Sequence, residues 1–401
     1  MDWTIDDWEW TRSRDGADAV DRAPIDPSPS DIARLRKKLS AQQVRVAIEL
    51  ARARDKASRK LDQQIVGDCA GVEMASSTAA ARYKASRFVR TLGEGASIVD
   101  LCCGIGGDAI ELKNAGLDVV AVDHDPVRSW MCAQNAGIRS LACDVLDPAV
   151  PSGAFHLDPA RRTQHGQRSR ELDDLRPGPS AWEELIRSRS DGAIKLHPGA
   201  RASELPDGEL EIISESGKLT QSVLWIGRLS EHERRATLLD ESGNVAAQLV
   251  GAAERPEDES PIGAFIHTMD PSVERADLVP ELINETGLSL VYPGTGLLTG
   301  AQALAHPMTN AFRVLDTLAW NPKRVKSILR SHGAGPVEVK ARAKAVDTDA
   351  TQQLLRGEGD RMLTVFVLPI AGSIRAIVAE RAEQNTRSAA APSGHSWDSN
   401  P

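Results

Sequence analysis

Four short stretches bring together residue types that could hold a nucleotide and orient a group for transfer. The first is Asp100-Leu-Cys-Cys-Gly104-Ile-Gly106-Gly107-Asp108, which follows the apolar run SIVDL. Glycines there remove Cβ atoms, so the chain turns sharply and a nucleotide-like ligand can approach the backbone. Gly104, Gly106 and Ala109 also satisfy the loose dinucleotide fingerprint, so the loop alone does not choose between cofactors. The second is Asp123, nineteen positions after Gly104 at the end of VVAVD. A carboxylate there accepts hydrogen bonds from two ribose hydroxyls, which adenosyl cofactors and NAD both present. The third is Asp144, ending SLACD, where a short acidic side chain reaches an adenine amine; this moves the expectation toward S-adenosylmethionine. With Asp100 and Gly107, these are the expected cofactor residues. The fourth is Asp158-Pro159-Ala160-Arg161-Arg162.

In a doubly wound sheet the reaction centre lies beyond the carboxyl ends of the strands. Asp158, Pro159 and Arg161 are therefore the expected catalytic residues. Pro159 fixes the turn and offers no N–H. Asp158 would orient an attacking nitrogen or accept its proton, and Arg161 with Arg162 would bind a phosphate or carboxylate. Methyl transfer is an in-line displacement that needs alignment and desolvation, so no catalytic triad is expected. Lys195 and His197, ending AIKLH, suit a pocket wall and a structural role equally.

The five cysteines are Cys69, Cys102, Cys103, Cys132 and Cys143. Their number is odd and none forms a CxxC pair, so neither a disulfide scaffold nor a metal site is expected, and a reducing cytoplasm fits. No cysteine follows Cys143, which leaves no downstream thiol nucleophile of the kind used in pyrimidine C5 methylation. Cys102 and Cys103 read as small packing residues.

The elements that must position these groups follow from the apolar pattern. Strands are expected at 97–101, 118–123, 140–144, 154–158 and 193–197, with a closing hairpin of 209–214 and 221–227. Helical segments between the early strands imply βαβ units and a parallel sheet. Seven strands ending in a hairpin fit the methyltransferase variant, in which the last strand inserts antiparallel. Upstream, residues 30–66 and the stretch SSTAAARYKASRFVRTL read as helices. Downstream, 231–310 contains a hairpin around RRATLLDESGNVAAQLV. Residues 311–381 alternate strand, helix, strand, helix and two strands, and the tail from about 384 reads as disordered.

The chain has 401 residues, 41% hydrophobic and 26% charged, the balance of a globular protein. No run approaches eighteen apolar residues and the acidic N-terminus lacks an apolar signal core, so neither a membrane span nor secretion is expected. A net charge of −9 argues against coating nucleic acid indiscriminately. Residues 31–95, however, carry fourteen Lys and Arg against seven Asp and Glu, and Lys323 to Lys344 carries seven against Glu338 alone. Such islands suit a face that contacts phosphates, or simply a solvated helix surface.

On the strings DDWEWTRSRDG, VDLCCGIGGDAIEL, VVAVDHDP, LDPARRT, IKLHPG, SVLWIG, RRATLL, FRVLDTL and HGAGPVEVKAR, the chain resembles bacterial class I methyltransferases with a THUMP-like C-terminal domain. Its glycine motif and strand ends also look like those of cap guanine-N2 methyltransferases. The resemblance implies an α/β fold with a Rossmann-like class I methyltransferase sheet and a small α+β THUMP-like domain. It implies S-adenosylmethionine as cofactor and RNA, transfer or ribosomal, as substrate. The expected organisation is a helical region 1–74, a cofactor domain 75–230, a β-rich connection 231–310, the THUMP-like domain 311–383 and the tail 384–401. A small-molecule or protein methyltransferase, a non-catalytic RNA-binding module and an NAD-dependent dehydrogenase are the competing readings. Exocyclic-amine methyltransferases carry a second proline and an aromatic after the Asp-Pro pair. Here those positions hold Ala160 and Arg161, so the usual stacking platform for a flipped base is missing.

Overall fold

A computed structural model describes residues 3–147, 149–161, 172–254, 256 and 259–382, with only the backbone of Arg161 and Asp173. The tail 384–401 lies outside the described residues. The chain divides into two units, Met1–Ala253 with Arg275–Leu278, and Glu254–Glu274 with Val279–Pro401.

The first unit begins with helices α1 (Ile5–Trp10), α2 (Arg14–Arg22), α3 (Pro29–Leu35), α4 (Ala41–Ala57), α5 (Cys69–Met74) and α6 (Thr78–Leu92). Each has an oxygen-bearing N-cap residue, Thr4, Ser13, Ser28, Ser40, Asp68 and Ser77, whose side chain accepts a first-turn N–H. The helices expected over 30–66 divide between α3 and α4, because Ser40 and Gln43 form a capping box that starts a new helix. Helices α1 and α2 lie within the helical region expected over 1–74. They bury Trp8, Ala19 and Val20 against Val46, Leu50, Ile65 and Val72.

The sheet follows. Strands β1 (Ser97–Leu101), β2 (Asp118–Asp123), β3 (Arg139–Ala142), β4 (Ala154–Leu157) and β7 (Gly192–Leu196) run parallel. They are separated by α7 (Gly107–Asn114), α8 (Pro126–Ala136) and α9 (Pro179–Arg189), with a two-residue ladder of β5 (Ala160–Arg161) and β6 (Leu175–Arg176). The hairpin β8 (Glu209–Glu215) and β9 (Lys218–Ile226) inserts β9 antiparallel beside β7. Two further strands, β10 (Arg234–Leu239) and β11 (Val245–Gly251), extend the edge. The order is β11-β10-β8-β9-β7-β4-β1-β2-β3. The expected seven strands are thus joined by two more, and the division expected at 230 falls inside the sheet. β10 pairs parallel with β8, a partner nineteen or more residues upstream that local pattern cannot reveal.

Both faces of the sheet are covered, which is why its central strands are almost wholly apolar. One face packs Val99, Leu101, Phe155, Leu157 and Ile194 on Trp182 and Leu185 of α9. The other packs Ile98, Val119, Ala193 and Val223 on Tyr83 and Phe88 of α6, with Phe88 edge-on to Trp225 at 5.6 Å.

The second unit holds the sheet β13-β14-β12-β15-β18-β17-β16. Its strands are β12 (Phe265–Met269), β13 (Ser289–Leu290), β14 (Leu297–Gly300), β15 (Thr309–Ala319), β16 (Ala334–Ala341), β17 (Arg361–Ile370) and β18 (Ser373–Arg381). Helices α10 (Pro271–Arg275) and α11 (Val279–Thr286) precede α12 (Pro322–Ser331) and α13 (Thr348–Leu355). Val325, Leu329 and Leu355 from the last two helices pack on Val337, Val365 and Val378. Since β12 and β14 pair within this sheet, the region 231–310 is shared between the two sheets rather than standing as a connection. Among the described residues no helix is long and apolar enough to cross a membrane.

Candidate functional site

The glycine loop leaves β1 and opens α7. Gly104 N–H donates to Asp123 Oδ2 at 2.9 Å, and Asp125 N–H to Asp123 Oδ1 at 3.0 Å. The carboxylate is thereby pinned while each oxygen keeps acceptor capacity for a ribose diol. Gly104 sits at φ +54°, and a Cβ built there would meet nothing within 4 Å. The space beside Gly104 is thus open. Gly106 has a different job: at φ +90° its missing Cβ would lie 3.0 Å from Cys132 Sγ, so it lets α7 start flush against α8. Asp144 is exposed beyond β3 and holds the Leu146 N–H at 3.0 Å. An open loop beside a pinned carboxylate, with a further carboxylate at the next strand end, fits an adenosyl group.

Asp100 is turned inward. It is 1% exposed, and its Oδ1 lies 2.7 Å from Nδ1 of His156, its register partner on β4. His156 Nε2 lies 3.2 Å from Lys84 Nζ, and that ammonium pairs with Asp108 Oδ1 at 2.6 Å. Ser76 Oγ–H donates to Asp108 Oδ2 at 2.8 Å. Burial opposes the charge on Asp108, but Lys84, His156 and Lys195 outweigh it and hold the carboxyl well below the usual carboxylate range. Asp100 goes the other way: burial lifts its carboxyl above the ordinary value despite the His156 hydrogen bond.

Beyond β4 and β7 lies the second half of the site. Leu157 registers with Ile194, so Asp158 emerges beside Lys195. Lys195 Nζ donates to Asp158 Oδ2 at 2.7 Å and to the Met74 carbonyl at 3.3 Å. Burial alone would lower the Lys195 ammonium, but Asp158 and Asp108 reverse the sign and raise it. Lys60 Nζ holds the two preceding carbonyls of α5, Val72 and Glu73, each at 2.9 Å. Pro159 is buried. Arg161 enters the small ladder opposite Leu175 by its backbone, and Arg162 lies outside the described residues. His197 belongs to a turn: its Nδ1 accepts the Gly199 N–H at 2.8 Å.

The helical N-terminal region braces this loop. Ile105 packs into the cluster of Trp8, Leu50 and Val72. Asn135 of α8 donates to the carbonyls of Val66 and Ile105 and accepts the Val66 N–H. Arg128 grips both oxygens of Asp68 at 2.7 and 2.9 Å.

Lys195 was legible as a candidate in the sequence, whereas His156, Lys84 and Lys60 were not. A signal existed for the first two. Asp100, His156 and Lys195 are polar residues within strands whose neighbours are buried on both faces. Lys84 falls four residues after Ala80 and four before Phe88, on the buried stripe of α6. Nothing comparable marks Lys60.

Comparison with known proteins agrees with this architecture. A family model for the THUMP domain-like group matches residues 309–381, and one for RNA cap guanine-N2 methyltransferase matches residues 95–146. Two uncharacterized S-adenosylmethionine-dependent methyltransferases of Mycobacterium tuberculosis, from strains CDC 1551 and H37Rv, are each 32% identical over 322 residues. The match covers 77% of this chain and 86% of theirs. A provisionally assigned methyltransferase crystallised from Porphyromonas gingivalis W83 superposes with a TM-score of 0.71 at 14% identity, over 94% of this chain and 98% of that one. That last likeness is one of fold. The chain belongs to the S-adenosylmethionine-dependent methyltransferases, and S-adenosylmethionine is its cofactor.

Proposed function

We propose that this methyltransferase modifies RNA, with Gly104, Gly107, Asp123 and Asp144 around the cofactor and Asp158 facing the acceptor. Bound S-adenosylmethionine supplies a methyl group made electrophilic by its sulfonium. The chain's own part is to hold that methyl in line with an acceptor and to take up the acceptor's proton.

The observation that carries the RNA reading is the THUMP domain-like match at 309–381, together with the basic face of α12 inside it. Val325 and Leu329 turn toward the sheet while Lys323, Arg324 and Arg330 are exposed. Lys326 is instead committed to the Leu354 carbonyl at 2.7 Å. An exposed triad of cations at one helix is a phosphate-contacting arrangement. The match of residues 95–146 to an RNA methyltransferase family supports the same reading from the cofactor side.

Charge reversal of Lys323, Arg324 and Arg330 to Glu tests it. RNA affinity in low salt should fall at least about tenfold, and the slope of log affinity against log salt should flatten by roughly two to three. Unchanged RNA affinity, or methylation only of proteins or small molecules, would overturn the reading.

A further inference from the structure

Four charged side chains gather around the single turn that joins α5 to α6. Lys60 holds the carbonyls of Val72 and Glu73, Lys195 that of Met74, and Glu215 Oε1 accepts the Ser77 hydroxyl at 2.7 Å. Asp158 completes the group through Lys195. Strands β4, β7 and β8 point the same way, since β9 is antiparallel to both β7 and β8. Asp158, Lys195 and Glu215 therefore share the carboxyl edge of the sheet. Lys60 comes from the helical region opposite them, where it feels the charges of Lys195, Asp158 and Glu215.

Resting on the RNA reading above, we infer that the acceptor is a ribose 2′-hydroxyl, gripped between the Lys195 ammonium and the Asp158 carboxylate, and not a base amine. An ammonium has three protons to donate. Lys195 uses two, on Asp158 and Met74, and among the described residues the third has no partner. Among the described residues Asp158 Oδ1 likewise has none. A hydroxyl seated there would accept from Lys195 and donate to Asp158.

The donor and acceptor sense of the pair decides between acceptors. An exocyclic base amine presents only N–H donors, so it suits Asp158 but leaves the Lys195 proton facing another donor. A hydroxyl must shed its proton, and the same ammonium stabilises the developing alkoxide. The missing aromatic at the Arg161 position agrees, because a ribose needs no stacking platform for a flipped base. Within an RNA chain the internal hydroxyl is the 2′-OH.

The step balances without a further reactant. The hydroxyl proton passes to Asp158 Oδ1, the oxygen forms the O–CH3 bond, and the S–CH3 pair returns to sulfur to leave a neutral thioether. Asp158, 29% exposed, then returns its proton to solvent. Lys195 stays protonated throughout.

The test incubates the full chain and methyl-deuterated S-adenosylmethionine with unmodified ribosomal and transfer RNA transcripts, then digests to nucleosides for mass spectrometry. Fragmentation at the glycosidic bond should leave the label on the ribose. Lys195→Met and Asp158→Asn should each lower kcat by about 10²–10³-fold, with S-adenosylhomocysteine affinity by calorimetry within about threefold of the parent. Lys195→Arg, which keeps the charge, should recover part of the rate. Label on the base would overturn the hydroxyl acceptor and leave the RNA reading standing. No label in any RNA, with S-adenosylhomocysteine still bound, would overturn the RNA reading and the ribose with it. Since the position of the label is read on the parent protein, the result does not depend on how the variants fold.

Discussion

Asp123 joins the glycine loop to the second strand through one hydrogen bond from Gly104, and the same carboxylate is the proposed acceptor for a ribose diol. Its replacement by alanine should weaken S-adenosylhomocysteine binding about 10–100-fold, a charged hydrogen bond being worth about 1.5–3 kcal/mol. Calorimetry at constant pH reads this directly, and equal affinity in the variant would remove Asp123 from the cofactor site. Lys84 makes a different kind of contribution. With its side chain 1% exposed, it neutralises Asp108 where no water can. Lys84→Met should destabilise the fold by about 3–5 kcal/mol, because a buried carboxylate is left unpaired. Urea midpoints check this. The exposed Arg187–Glu184 pair is the built-in control, since removing it should cost less than about 1 kcal/mol.

Among the elements, α8 links two jobs. Its N-terminus is set by Asp125, whose side chain accepts from the N–H groups of Val127 and Arg128, and its last turn places Asn135 between the helical region and the glycine loop. Asn135→Ala should therefore loosen the loop without touching any ligand. The expected result is faster amide exchange across residues 104–107, with a stability loss of about 1–3 kcal/mol from the carbonyls and N–H left unpaired. Exchange that slows or stays unchanged there would mean that Ile105 packing alone holds the loop. Helix α6 carries a second buried set on the same face. Arg87 pairs with Glu209 at 2.8 Å and Glu211 at 3.1 Å, and Trp225 Nε1–H donates to Glu211 at 2.7 Å. One helix thus anchors both the site's lysine and the strands at the far end of the sheet.

At the scale of the molecule, these buried pairs set the response to acid. Glu209 is wholly buried, and burial would raise its carboxyl, but hydrogen bonds from Arg87 and Arg235 bring it from 4.5 down to about 2. A folded-state value below the unfolded one means stability that is complete above about pH 4.5 and lost as pH falls toward 2. The shift corresponds to on the order of 3 kcal/mol. Acid unfolding followed by circular dichroism should steepen through that window, and Glu209→Gln should be less stable at pH 7 while losing less on acidification. An unchanged acid profile in the variant would show that other carboxylates govern the transition.

How far the sequence determined this protein can be traced through particular residues. The glycine loop, Asp123, the strand ends at Asp144 and Asp158, and the inserted hairpin were all legible. Each depends on spacing along the chain: a strand of known period, a turn needing glycine, a carboxylate at the next strand's end. The pairing of β10 with β8 and the membership of β12 and β14 in the second sheet were not legible. Nor was the meeting of Lys60, Asp158, Lys195 and Glu215 around one turn, or the line from Asp100 through His156 and Lys84 to Asp108. Those depend on which strands become neighbours, and a hydrogen-bonded partner a hundred residues away leaves no periodic trace. Spacing along the chain was enough for the strand, glycine loop and helix, and it pointed toward the cofactor's class. Only the tertiary structure brought Lys60, Lys195, Asp158 and Glu215 to one turn, because charges meet through space over a few ångströms and not along the chain.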